Sequence, residues 1–352
     1  MFTVMKSAPS RHRLKALGAL ALLAASVAGV QAQETKRLRV ADSFPTGHYL
    51  SRLLLQPWMA EVTKRTDGKI QFDYFPGQQL GKAADMLTLT QNGVADIGYV
   101  APGYVSDKMA TSEVAMLPGA FNTSCEGTAA YWKVARTGLV QKLDYAPNKI
   151  KLLLTVLLPP YQIMTTGKPV ASIEDIKGVK LRTTGGAQDL TIRALGGVPV
   201  RMAAPDAYES LSRGTIDGMV FPLDSVTSYN LEKLLKHSTQ NANFSSFVIA
   251  YSISDAAWAK LDPKVQQIMQ DAAETVVKEA CAAVDKQDSE TRTKLQQAGI
   301  AFKMLDAPTL EKFNGVLSGV ADQWAQGLDS RNKQGSAVLK EFRETLAAQN
   351  KK

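Results

Sequence analysis

From residue 38 onward the apolar and polar positions follow two alternating rhythms. Short apolar runs, partly alternating, predict strands, and they are separated by stretches with apolar residues at helical spacing. The first strand covers 38–41, and a Gly/Pro-containing loop at 42–48 follows it. Leu53, Leu54, Trp58, Met59 and Val62 then fall on one helical face that stops at Gly68, as a glycine just past the last periodic residue commonly does. Alternation over 70–75 gives a second strand, a helix over about 83–92 carries Met86 and Leu87, and 96–100 gives a third strand broken by Pro102 and Gly103. This order predicts an α/β lobe, and in open α/β sheets ligands sit beyond the carboxyl ends of the strands.

The middle of the chain repeats the pattern. An apolar run at 151–158 ends at Pro159 and Pro160, and 162–166 continues beyond it. A short helical turn at 173–178 leads into a strand at 179–182, a helix over about 187–195 stops at Gly196, and strands at 198–200 and 218–221 flank a helix at 208–213. From 255 the pattern is mostly helical, with Met269, Ala272, Val276, Val277, Ala280 and Val284 forming a stripe and a second helical region over about 308–348. The predicted organisation is a lobe at 33–157, a second lobe at 158–254 and C-terminal helices at 255–352 packing across both. No linker separates them, so the chain is expected to cross between lobes more than once.

The opening segment changes the picture of where the protein lives. Lys6, Arg11, Arg13 and Lys15 lead into an apolar run at 14–29, and Val30, Gln31 and Ala32 form a small-residue cleavage site, the pattern of an export leader at 1–32. That run is too short to span a hydrocarbon core roughly 30 Å thick, so a soluble mature chain starting near Gln33 is expected in the periplasm. The formal net charge of +8 comes from 41 basic and 33 acidic residues. The leader holds four of the basic ones, leaving the mature protein near +4. Without a Lys/Arg run this gives no reason to expect a nucleic-acid partner, though it weakly favours anionic solutes. After export Cys125 and Cys281 either pair or remain two separate buried thiols, and the sequence leaves both open.

Catalytic chemistry is poorly supplied. Only His48 and His237 survive removal of the leader. No HExxH, CxxC, GxSxG, GxGxxG, phosphate-loop or calcium-loop pattern occurs, and a zinc site needs three or four ligands from this stock. No enzyme, cofactor or metal is expected. His48 in its loop and His237 at an expected helix end read first as surface or capping groups.

Further residues carry a resemblance. The stretches Gly178–Arg182, Leu195–Met202, Tyr208–Leu211 and Gly214–Gly218, with Gly68–Ile70, Tyr74–Gly77, Gln79–Gly81, Gly93–Asp96 and Leu117–Pro118 before them, together resemble the solute-binding proteins of tripartite ATP-independent periplasmic (TRAP) transporters, the DctP-like family. The likeness covers nearly the whole mature chain in the family's order. It implies a two-lobed α/β fold of the periplasmic-binding, type II-like kind, closing over a small carboxylate and docking, as a monomer, on a membrane permease. It also implies that Arg182 pairs with the ligand carboxylate, a role suited to guanidinium because its planar fork matches a carboxylate bidentately.

The departures sharpen the ligand. Gln162 stands where many members of the family place a second arginine, Phe221 replaces an amide before Pro222, and Ala204 stands where sialic-acid-binding members have phenylalanine. A monocarboxylate with an apolar or aromatic body is therefore expected. Phe44, Tyr99, Tyr161 and Phe221 are the expected aromatic walls, and Ser43, His48, Gln162 and Asp224 the expected polar contacts. A receptor signalling to a sensor kinase shares the same pocket, and a secreted hydrolase is disfavoured by the scarce histidines.

Overall fold

A computed structural model of the chain describes residues 1–5 and 35–349. Apart from its first five residues, the expected leader lies outside the described residues. The strands are β1 (Lys36–Ala41), β2 (Ile70–Phe75), β3 (Ile97–Tyr99), β4 (Ile150–Leu157), β5 (Gln162–Thr165) and β6 (Lys180–Thr183). They continue as β7 (Val198–Arg201), β8 (Gly218–Phe221), β9 (His237–Gln240), β10 (Val248–Ser254) and β11 (Ala301–Met304). They form two sheets, ordered β2-β1-β3-β10-β4 and β11-β9-β5-β8-β6-β7, which gives the expected two-lobed α/β architecture.

Both sheets use one local device to align parallel strands. In the first, Gly93 takes φ +69° to stop a helix, and three residues later the Asp96 N–H donates to Arg39 O at 2.9 Å while the Asp96 carboxylate accepts from Arg39 N–H at 2.8 Å. In the second, Gly214 takes φ +68°, Asp217 N–H donates to Lys180 O at 2.8 Å, and the Asp217 carboxylate accepts from Lys180 N–H at 2.8 Å. The side chain satisfies a backbone donor of the neighbouring strand just before their pairing begins and so fixes register. Gly218 follows because a Cβ there would meet Met164 O at 2.1 Å.

The chain crosses between sheets where the sequence does not mark it. The expected boundary at 254 assigns 248–254 to the second lobe, but β10 lies in the first sheet, antiparallel to β3 and β4. Its fully buried run of apolar residues fits a central position, covered on both faces. Conversely β11, in a tail expected to be mostly helical, extends the second sheet beside β9. His237, expected at a helix end, begins β9 and pairs with Thr165 and Ala301.

The 35-residue helix Pro263–Gln297 starts behind an Asp262 cap, whose side chain accepts from Lys264 N–H. It buries Met269, Ala272, Val276, Val277, Ala280 and Val284 in the large core, and its far end brings Leu295 into the smaller core of the second lobe. At about 1.5 Å per residue it is long enough to brace both. Cys281 on this helix is disulfide-bonded to Cys125 on the helix Ser124–Thr137, so of the two alternatives the pair forms. Asp285 accepts from the N–H groups of Ser124 and Cys125 at 2.6 and 3.0 Å, capping that helix beside the bridge. The expected second helical region is three helices, Ala307–Leu317, Val320–Asp329 and Gly335–Gln349.

Candidate functional site

Arg182 is the largest charged group in the interior, 1% exposed. β6 lies between β7 and β8 and parallel to both, with Arg182 opposite Val200 and Met219. Its Nε donates to Met202 O at 3.0 Å and its Nη2 approaches the Tyr104 hydroxyl at 3.5 Å. The guanidinium carbon lies 5.4 Å from the Phe221 ring centroid, a cation–π distance. Among the described residues Arg182 has no ion pair with any Asp or Glu. An isolated charge is expensive to bury, so this environment favours an anion supplied from outside the protein.

Around Arg182 lies a cavity of ≈ 20 Å³, room for little more than a water molecule. Phe44, Tyr99, Tyr161 and Phe221 line it, as do Tyr104, Tyr229 and Phe247. Phe44 packs against Tyr99 with ring centroids 4.4 Å apart, and Phe221 lies 6.1 Å from Tyr229. Burial pushes the Tyr161 and Tyr229 phenols well above their ordinary value, so both stay neutral. The Tyr104 hydroxyl also accepts from Ala204 N–H at 3.2 Å. With two N–H groups already directed at its oxygen, its own proton is free to be donated. Tyr104 follows β3 of the first sheet while Arg182 and Ala204 belong to the second, so this hydroxyl joins the lobes. A ligand larger than water can enter only when the walls part, which fits a hinge.

The structure brings Arg182, Phe44, Tyr99, Tyr161 and Phe221 to one cavity and leaves four of the expected residues outside its lining. The Gln162 amide donates to Ala242 O at 2.7 Å and accepts from the Thr239 hydroxyl at 2.9 Å, holding the β5–β9 region. The Asp224 carboxylate accepts from the Thr291 hydroxyl of the long helix. Ser43 is buried in the loop after β1. His48 stacks on Phe44 at 4.1 Å, and its Nδ1 accepts from Leu50 N–H at 3.2 Å. Burial, assisted by the charge of Arg52, lowers its pKa to about 3, so the ring is neutral and stands behind the cavity wall.

Asp42, beside Ser43, is fully buried. Its carboxylate accepts from Tyr251 OH at 2.8 Å, Tyr74 OH at 2.9 Å, Phe44 N–H at 2.9 Å and Ser51 OH at 3.2 Å. Burial still pushes it up to about 6 against those four bonds. A larger open groove of ≈ 580 Å³ lies between the helices Ser124–Thr137 and Pro263–Gln297 and β4. There Arg136 is paired with Glu274 and stacked on Trp132 at 4.4 Å, and the lysines that line the groove, Lys133 and Lys151, are exposed to solvent, unlike the buried Arg182.

A buried cation in a closed cleft between two α/β lobes defines a ligand receptor. The chain belongs to the bacterial extracellular solute-binding proteins, family 7, whose model matches residues 43–327. Members of this TRAP family are periplasmic transport receptors that bind small molecules and work with membrane permease components. A TRAP solute-binding protein from Bordetella bronchiseptica, crystallised with bound (R)- and (S)-mandelate, is 26% identical with a TM-score of 0.80, over 89% of this chain and 99% of that one. One from Rhodoferax ferrireducens with copurified benzoate shares the fold at 22% identity and a TM-score of 0.82, over 90% and 99%. The sialic acid-binding periplasmic protein SiaP of Vibrio cholerae is 25% identical, over 84% of this chain and 90% of SiaP. Among the described residues no helix is long and apolar enough to cross a membrane.

Proposed function

We propose that this chain captures a small aromatic monocarboxylate for uptake through a TRAP permease. The observation that carries the reading is Arg182, buried without an acidic partner among the described residues and surrounded by aromatic rings. One guanidinium with no second cation on the cavity wall suits one carboxylate, and the rings of Phe44, Tyr99, Tyr161 and Phe221 suit an apolar body. Gln162, where a second cation would sit by the family resemblance, is occupied by backbone partners. The likeness to the Bordetella protein with bound mandelate supports the same class.

Closure is proposed to follow binding, because the anion completes contacts that reach from one lobe to the other. Micromolar affinity corresponds to about −8 kcal/mol, within reach of one buried guanidinium–carboxylate pair plus apolar contact. Calorimetric titration of the exported chain with benzoate, phenylacetate, succinate and malate tests the proposal. Saturable binding of the aromatic acids with no heat from the dicarboxylates is expected. Tight binding of succinate without the aromatic acids would refute it.

A further inference from the structure

β6 ends at Thr183 and Thr184 follows it, and the hydroxyls of the two threonines have opposite fates. The Thr183 hydroxyl donates to the Asp189 carboxylate on the following helix. Thr184, the first residue after the strand, shares the cavity wall with Arg182 two residues before it. It is 1% exposed, and its Oγ1 has no hydrogen-bond partner. Its backbone is held firmly, since Thr184 N–H donates to Gln188 Oε1 at 3.0 Å and Gln188 Nε2 donates to Ser246 O at 3.2 Å. The first lobe approaches it closely at Gly103, where a Cβ would lie 3.1 Å from Oγ1. A buried hydroxyl left without a partner is unusual, and this one lies beside the only cation of the cavity.

Resting on the monocarboxylate reading above, we propose that Thr184 is a specificity-determining residue that recognises an oxygen substituent on the carbon next to the ligand carboxylate, so that the preferred class is 2-hydroxy and 2-oxo acids. With the carboxylate in the Arg182 fork, the neighbouring carbon is the next part of the ligand to meet the wall of the small cavity that Arg182 and Thr184 share. A threonine hydroxyl both donates and accepts, so it serves an alcohol or a ketone oxygen equally. A ligand with hydrogen at that carbon leaves Oγ1 as it stands now. A site built to bond a hydroxyl discriminates strongly against the analogue that lacks it.

Mandelate and phenylacetate differ only by that hydroxyl. Calorimetric titration of both against wild type, Thr184→Val and Thr184→Ser, with thermal melts to check folding, tests the assignment. Wild type is expected to prefer mandelate by about tenfold or more. Thr184→Val should remove that preference while leaving phenylacetate affinity within about threefold, and Thr184→Ser should keep it. Equal affinity of wild type for the two acids, or a Thr184→Val preference like that of wild type, overturns the role of Thr184 and leaves the monocarboxylate reading standing. Failure of wild type to bind either acid overturns both.

Discussion

Two of the buried charges near the cleft, Asp42 and Arg182, are treated in opposite ways. Asp42, after β1 of the first sheet, receives four hydrogen bonds from its own lobe. Arg182, on β6 of the second, has a carbonyl, a long contact to a phenol and an aromatic ring. Burial alone therefore does not distinguish a charge that the fold satisfies from one proposed to meet a ligand, since both are almost wholly removed from water. What differs is how far the protein completes the group's bonding. Asp42 is completed by residues that must already be in place for the first lobe to fold, whereas Arg182 retains donors directed at a cavity.

The largest effect that tests this contrast is on binding. Arg182→Met should reduce benzoate affinity by a factor of about 10²–10⁴, through loss of two charge-assisted hydrogen bonds of about 1.5–3 kcal/mol each. The melting temperature without ligand should hold or rise, because a flexible apolar chain replaces a cation that lacks a counter-charge. Asp42→Ala should do the reverse. It strands Tyr251, Tyr74, Ser51 and the Phe44 N–H, and is expected to cost about 3 kcal/mol in urea unfolding. If Arg182→Met unfolds as readily as Asp42→Ala, or binds benzoate like wild type, the contrast is lost.

Glu113 is an intermediate case. It is buried in the turn Ala110–Met116, where its Oε2 accepts from Ala187 N–H at 3.0 Å at the start of the helix Gly186–Ala194. Burial pushes it up to about 7, against that bond and the nearby charge of Arg201. A folded pKa above the unfolded one gives stability that is full at acid pH and is lost as pH rises through about 7. His48 acts in the opposite sense. Held down at about 3, it contributes stability above its unfolded pKa of about 6.5 that is lost as pH falls toward 3. Glu113→Gln leaves His48 in place, so subtracting wild type isolates the glutamate. The difference in unfolding free energy, variant minus wild type, should grow by about 2 kcal/mol between about pH 5 and pH 8. A flat difference would mean that the hydrogen bond from Ala187 and the charge of Arg201 offset the burial of Glu113 and leave its folded pKa at the unfolded value.

The lobes were readable because strands such as 70–75, which alternates, and 218–221, an apolar run, are closed by glycine or proline. β9 and β11 were not, since His-Ser-Thr-Gln and Ala-Phe-Lys-Met show no clear alternation and gain strand identity only by pairing, β9 with β5 and β11 with β9 at the sheet edge. Arg182 was legible through a motif, and the rings of Phe44, Tyr99, Tyr161 and Phe221 through their positions at strand ends. Tyr104, Tyr229 and Phe247 lie in short turns or irregular chain, where no period announces a direction. The break at Pro102 and Gly103 just after β3 was the available signal for Tyr104. Gln162 and Asp224 have the right chemistry and are drawn elsewhere by Ala242 and Thr291, partners that become neighbours only on folding.

The smallest expected effect concerns how Arg182 is held in place. Phe221 lies 3% exposed beneath the guanidinium, and a ring in that position stabilises the cation while leaving its N–H groups available. An asparagine there, as the family resemblance suggests for many members, supplies a carbonyl that competes for the same donors. Phe221→Leu keeps most of the apolar area and removes the ring face, so benzoate affinity should fall about fivefold, near 1 kcal/mol. Phe221→Asn should fall further for benzoate than for a small acid such as acetate, because it also removes apolar wall. Equal losses for the two acids would make Phe221 a support for Arg182 alone; a loss confined to benzoate would make it a wall of the pocket and leave the cation to be held by Met202 and Tyr104.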